Sequence, residues 1–116
     1  MSLLSSSLRS LRHRLHSNPY VSGNEGWTAS ALYNFLRSHH VEILATQVNG
    51  GFGMIARVKG TASASGSAPG SAPGSASASV LLRCDMDALP LLEETPNISH
   101  ISRNVGCHHA CGHDGH

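Results

Sequence analysis

Leu4, Leu8, Leu11 and Leu15 recur at helical spacing through a stretch that is otherwise Ser, Arg and His. The pattern predicts an amphipathic helix over Met1 to His16, with Arg9, Arg12 and His16 on its wet face. Asn18-Pro19 stops it where a helix should stop. The same composition, basic and without an acid, also fits a mitochondrial transit peptide. A second helix is predicted from Asn24 to His39, with Glu25 in its first turn. Thr28, Leu32, Phe35 and Leu36 form its apolar stripe, with Trp27 and Ala31 beside it. That stripe reads as core packing.

The period then changes. Val41 to Val48 is rich in branched residues, and Phe52 to Val58 alternates after Asn49-Gly50-Gly51. Together they predict a hairpin around a strong turn signal. Lys59-Gly60 opens into Thr61 to Ser79, which contains only Thr, Ala, Ser, Gly and Pro, with Ser-Ala-Pro-Gly at 67–70 and again at 71–74. Such a composition buries too little apolar surface to offset its ordering entropy, so a disordered low-complexity insertion is expected over 61–79. Val80 to Cys84 is continuously apolar until Arg83 and predicts a third strand, buried on both faces. On such a strand Cys84 would act as a small buried hydrophobe.

Length and charge narrow the function. The chain has 116 residues, at most one domain. A chain this short buries only about two-thirds of its unfolded surface, which excludes a large enzyme with a closed active site. Eight Lys and Arg against seven Asp and Glu give +1, too balanced for a protein that grips nucleic acid by neutralising phosphates. No apolar run approaches the roughly 20 residues of a membrane span. Three Cys, an odd number and without a secretory leader, favour a reducing compartment over a disulfide scaffold. The expected location is cytoplasmic, with the mitochondrion as the alternative. Nine His, not contiguous, point to metal binding or acid–base work.

Two segments carry that chemistry. Asp85 and Asp87 follow the third predicted strand, at i and i+2, where the two side chains point to one side. Ligands of open α/β sheets sit beyond the carboxyl ends of strands. A solvated turn explains the two acids equally well. The stronger segment is Gly106-Cys107-His108-His109-Ala110-Cys111-Gly112-His113-Asp114-Gly115-His116. Cys111 and His113, with one Gly between them, can reach one ion from a tight turn, and Gly112 permits a positive φ there. Thiolate with imidazole selects zinc or a similar borderline ion. The spacing of Cys107 and Cys111 excludes haem attachment, and no second ligand pair stands at zinc-finger distance.

Asp85-Met86-Asp87-Ala88-Leu89-Pro90, Glu93-Glu94 and His109-Ala110-Cys111-Gly112-His113-Asp114-Gly115-His116 resemble the zinc-dependent metallopeptidase family of aminoacylases and carboxypeptidases. The closer resemblance is to its amidohydrolase branch, the hippurate hydrolases, N-acyl-amino-acid deacetylases and auxin–amino acid conjugate hydrolases. Leu15-His16-Ser17-Asn18-Pro19, with Glu25 and Thr28 following, is similar to that branch's opening. The resemblance implies an α/β fold, the N-terminal part of a catalytic domain with two helices and then three strands, spanning 1–116 around the insertion. It implies a site for two divalent ions, zinc, manganese or cobalt, and hydrolysis of small N-acyl amino acid substrates by metal-activated water. Cys111 matches the ligand between the ions, His113 a terminal ligand, and Asp87 the acid that orients a ligand. Complete members often dimerise through a lid domain, which is absent here; no nucleic-acid or membrane partner is implied.

Two residues depart from the family pattern. Tyr20 stands where Glu is usual, and His108 where an apolar residue is usual. The family places a Glu-Glu pair, further His ligands and the lid domain beyond the position of His116, and Glu93-Glu94 precedes the Cys-Gly-His turn rather than following it. The chain alone is therefore expected to be inactive. A non-catalytic metal-binding or pseudoenzyme product is the alternative, and a small structural zinc module a third reading.

Overall fold

The computed structural model describes residues 2–60, 79–95 and 97–116. The expected disorder over 61–79 therefore lies outside the described residues except at Ser79, which is exposed. The first helix, α1, runs Leu3–Ser17. Ser2 caps it by accepting the Ser5 amide at 3.2 Å. It ends at Asn18, whose side-chain amide donates to the Arg14 carbonyl at 2.8 Å. Pro19 comes next and has no N–H with which to continue. Only the last turn of the leucine stripe is used: Leu15 is buried, while Leu4 and Leu8 are about half exposed. His16, expected on the wet face, is instead buried beside Leu15.

The second helix, α2, runs Gly26–Ser38, shorter at both ends than the pattern suggests. Glu25 is its N-cap and makes no side-chain capping bond. Thr28 and Ala31 are buried, and Leu32, Phe35 and Leu36 partly so. Trp27 leans on Tyr20 with ring centroids 6.1 Å apart. The hairpin forms as the turn signal predicts: β1, Glu42–Val48, pairs antiparallel with β2, Gly53–Arg57. Asn49 and Gly50 both take positive φ, 55° and 74°, the conformation that matches the right-handed twist of a tight hairpin. Glu42 faces Arg57 across the strands, with two hydrogen bonds of 3.0 and 2.9 Å.

The third strand does not form. Among the described residues the hairpin is the whole sheet, and no strand pairs with Val80 to Cys84. A strand exists only with a partner to take its amides and carbonyls. Without one, Leu81 and Leu82 are 92% and 83% exposed. The α/β class and the two helices stand; among the described residues the sheet has two strands, and the expected third is not one of them.

The C-terminal segment, from Ala88 onward, is bound to the end of α1 by isolated backbone bonds. The Ala88 amide donates to the Tyr20 carbonyl at 2.8 Å, and Arg103 to Ser17 at 2.9 Å. Leu89 and His108 exchange two bonds of 3.0 Å. The Asn104 side chain donates to the Pro19 carbonyl at 2.6 Å. The apolar core among the described residues is small: Leu15, Ala31 and Ala88.

Candidate functional site

Gly112 takes φ +83° and turns the chain from Cys111 into a short 3₁₀ turn, His113–Gly115. An L side chain seldom adopts that angle, so the glycine between the two candidate ligands is there for the backbone. The turn brings His113 to the loop that holds the acids. Its Nδ1 lies 2.9 Å from Asp87 Oδ1 and 3.0 Å from the Asp87 carbonyl. Its Nε2 stands 4.0 Å from Asp85 Oδ2. Ligand atoms of Asp85, His113 and His116 all lie within 4.8 Å of one another. The Cys111 thiol contacts the Asp87 carbonyl at 3.5 Å. Asp85 also takes a 2.7 Å hydrogen bond from Arg83. Beside this corner opens a cleft of about 500 Å³, lined by Glu25, Arg83, Asp85, Met86, Asp87 and His113.

The donor set fits a divalent metal. When Nδ1–H of His113 is given to Asp87, the Nε2 lone pair is left facing Asp85 and His116, the carboxylate–histidine arrangement common around bound metals. Cys111, His113, Asp85 and Asp87 thus share one corner, although Cys111 stands on the Asp87 side rather than in the Asp85–His113–His116 group. Cys84, expected to be buried, is exposed, because the strand that was to bury it does not form.

A second polar cluster escaped the sequence reading. His16 lies between two carboxylates, with Nδ1 2.7 Å from Asp114 Oδ2 and Nε2 2.9 Å from Glu93 Oε1. His108 Nε2 approaches the same Glu93 oxygen at 3.4 Å. Arg12 Nε reaches Asp114 at 2.9 Å, and the Ser102 amide donates to Glu93 Oε2 at 2.6 Å. Burial alone would push the Glu93 carboxyl up. The bonds from His16 and Ser102 and the His16 and His108 charges outweigh it, so Glu93 sits below the usual carboxylate range. His109 is buried with neither ring nitrogen partnered, and burial pushes it below the ordinary imidazole range. Burial and the neighbouring Cys111 push the Cys107 thiol up. These residues come from positions 12 to 114 and share no spacing. His16, Glu93, His108 and Asp114 all stand in the motifs quoted above, but nothing in their spacing brings them together.

No family model matches the chain. Curated relatives do. The chain is 37% identical over 106 residues to thermostable carboxypeptidase 2 of Saccharolobus solfataricus, covering 91% of this chain and 23% of that protein. It is 37% identical to the N-acyl-L-amino acid amidohydrolase of Geobacillus stearothermophilus, covering 90% and 24%. Among solved structures it superposes on a Bacillus subtilis protein described as a dinuclear metal-binding peptidase from the M20 family. The TM-score there is 0.74 at 33% identity, covering 96% of this chain and 27% of that one. Over nearly its whole length the chain therefore resembles the M20 peptidase family. It matches an N-terminal part of that family's peptidase domain and spans about a quarter of the length of these relatives. No helix among the described residues is long and apolar enough to cross a membrane.

Proposed function

We propose that the chain supplies part of the metal site of a hydrolase that splits amide bonds in N-acyl amino acids or related small amides. The observation that carries this reading is the hold of Asp87 on His113 Nδ1 at 2.9 Å, with Cys111 beside it. In this reading Cys111 and His113 bind divalent ions of the zinc, manganese or cobalt class, two in a complete site, and Asp87 orients His113. The ions would supply a Lewis acid and a water of lowered pKa. Asp87 would fix the tautomer that leaves the His113 Nε2 lone pair free to bind an ion. Asp85, already paired with Arg83, adds negative charge at the mouth of the cleft. Compact, acidic and open, the cleft suits a small substrate.

We expect the chain to be inactive by itself. Asp87 is committed to His113, while Glu93 and Asp114 are committed to His16. That commitment also supports the second reading, a metal-binding product without turnover. Hydrolysis of N-acetyl and N-benzoyl amino acids by the metal-loaded protein decides between them. In a protein that carries the family's remaining residues, turnover that a chelator removes and that Cys111→Ala abolishes supports the hydrolase. Metal uptake with no turnover supports the alternative. Metal uptake equal in Cys111→Ala and Cys84→Ala sinks the site assignment.

A further inference from the structure

A neutral imidazole carries one N–H and one lone pair. When His16 gives Nδ1–H to Asp114, its Nε2 lone pair faces the lone pairs of Glu93 Oε1 at 2.9 Å. Such a contact holds only with a proton or a cation between the two atoms. A third donor arrives at the same place: His108 Nε2 lies 3.4 Å from that oxygen. The three ligand atoms of His16, Glu93 and His108 all lie within 4.8 Å of one another. Bonds of 2.0–2.2 Å to a tetrahedral ion place its ligands about 3.4 Å apart, the distance already found between His108 Nε2 and Glu93 Oε1; His16 Nε2 and the same oxygen would open from 2.9 Å.

We propose that His16, Glu93 and His108 form a separate cation site that takes one Zn²⁺-class ion. Two imidazoles and one carboxylate suit zinc or cobalt better than calcium or magnesium. The surroundings are those of a metal site. The His16–Asp114 pair orients the ring from behind, and Arg12 holds Asp114 at 2.9 Å. The Ser102 amide occupies the other Glu93 oxygen at 2.6 Å and so turns Oε1 toward the histidines. A second observation lies beside the cluster. His109, 4% exposed, has two unpartnered ring nitrogens, and its ring centroid is 6.4 Å from that of His16. Buried and unpartnered, its nitrogens are available to an ion or to a water bound on one.

The consequence is structural. The ion would cross-link α1 to the loop that runs from Glu93 to His108. His108 is the residue that completes the set.

The test isolates this site from the one at Cys111. A Cys111→Ala, His113→Ala double variant of the protein is titrated with Zn²⁺ and then with Co²⁺. One equivalent should still bind, the Co²⁺ spectrum should show no sulfur-to-cobalt charge-transfer band, and the melting temperature should rise with added metal. Adding His108→Leu, at a side chain 17% exposed, should lower that affinity at least tenfold and remove the melting shift. A double variant that binds no ion overturns the proposal. So does a charge-transfer band, or uptake unchanged by His108→Leu. The double variant lacks both proposed catalytic ligands, so failure of the hydrolase reading leaves every one of these outcomes readable.

Discussion

The chain up to residue 60 and the segment from Ser79 to His116 are built on opposite principles. The first consists of two helices and a hairpin, in which nearly every backbone bond joins residues close in sequence. Among its described residues the second has one 3₁₀ turn and no α-helix or strand. It is held instead by single backbone bonds to residues 17–21 and by side chains that meet across 77 to 98 positions. All the candidate chemistry lies in or against this second region. Regular structure therefore provides a frame, and a polar network fixes the reactive side chains on it. The network also makes the residues that join it, His16 of the first region among them, sensitive to single substitutions in a way the rest of the first region is not.

Five substitutions and one deletion probe that contrast, the largest effect first. His16→Ala leaves the buried Glu93 and Asp114 short of a partner and should cost about 3–5 kcal/mol in the metal-free protein. Leu8→Ala, at an exposed position on the same helix, should stay within about 0.5 kcal/mol. Chemical denaturation of both variants checks this, and equal losses would erase the distinction between the regions. Asp87→Asn should weaken metal binding at Cys111 and His113 by about 10–100-fold, by releasing the His113 ring. Calorimetric titration reads that change, and unchanged affinity would detach Asp87 from the site.

Gly112→Ala puts a Cβ into open space but strains the backbone at φ +83°, so it should cost about 1–2 kcal/mol through conformation alone. Gly50→Ala meets the same strain in the hairpin, and thermal melts should show comparable losses at the two turns. A loss at Gly112 much above that at Gly50 would mean that the turn is coupled to the network. The smallest effect belongs to the low-complexity stretch. Deleting Thr61 to Ser79 and closing the gap with a short turn should change stability by about 0.6 kcal/mol for each halving of loop length. A large fall in melting temperature would show that the stretch contributes contacts of its own.

The sequence by itself determined both helices, the hairpin with its Asn49-Gly50 turn, and the chemical character of the Cys111–His113 turn. Each rests on spacing within a few residues, where backbone periodicity and turn geometry operate directly. The sequence also pointed to Asp85 and Asp87, but only the fold shows Asp87 on Nδ1 of His113 and Asp85 near Nε2. Tertiary structure alone decided the rest. Val80 to Cys84 reads as a buried strand because apolar runs record burial, yet a strand needs a neighbour's hydrogen bonds, and none is present among the described residues. His16 reads as a wet-face residue because helical spacing places it beside Arg12. It is buried because Glu93 and Asp114, far along the chain, come to its two nitrogens. Periodicity describes one element at a time, whereas a buried ionic network depends on which elements meet.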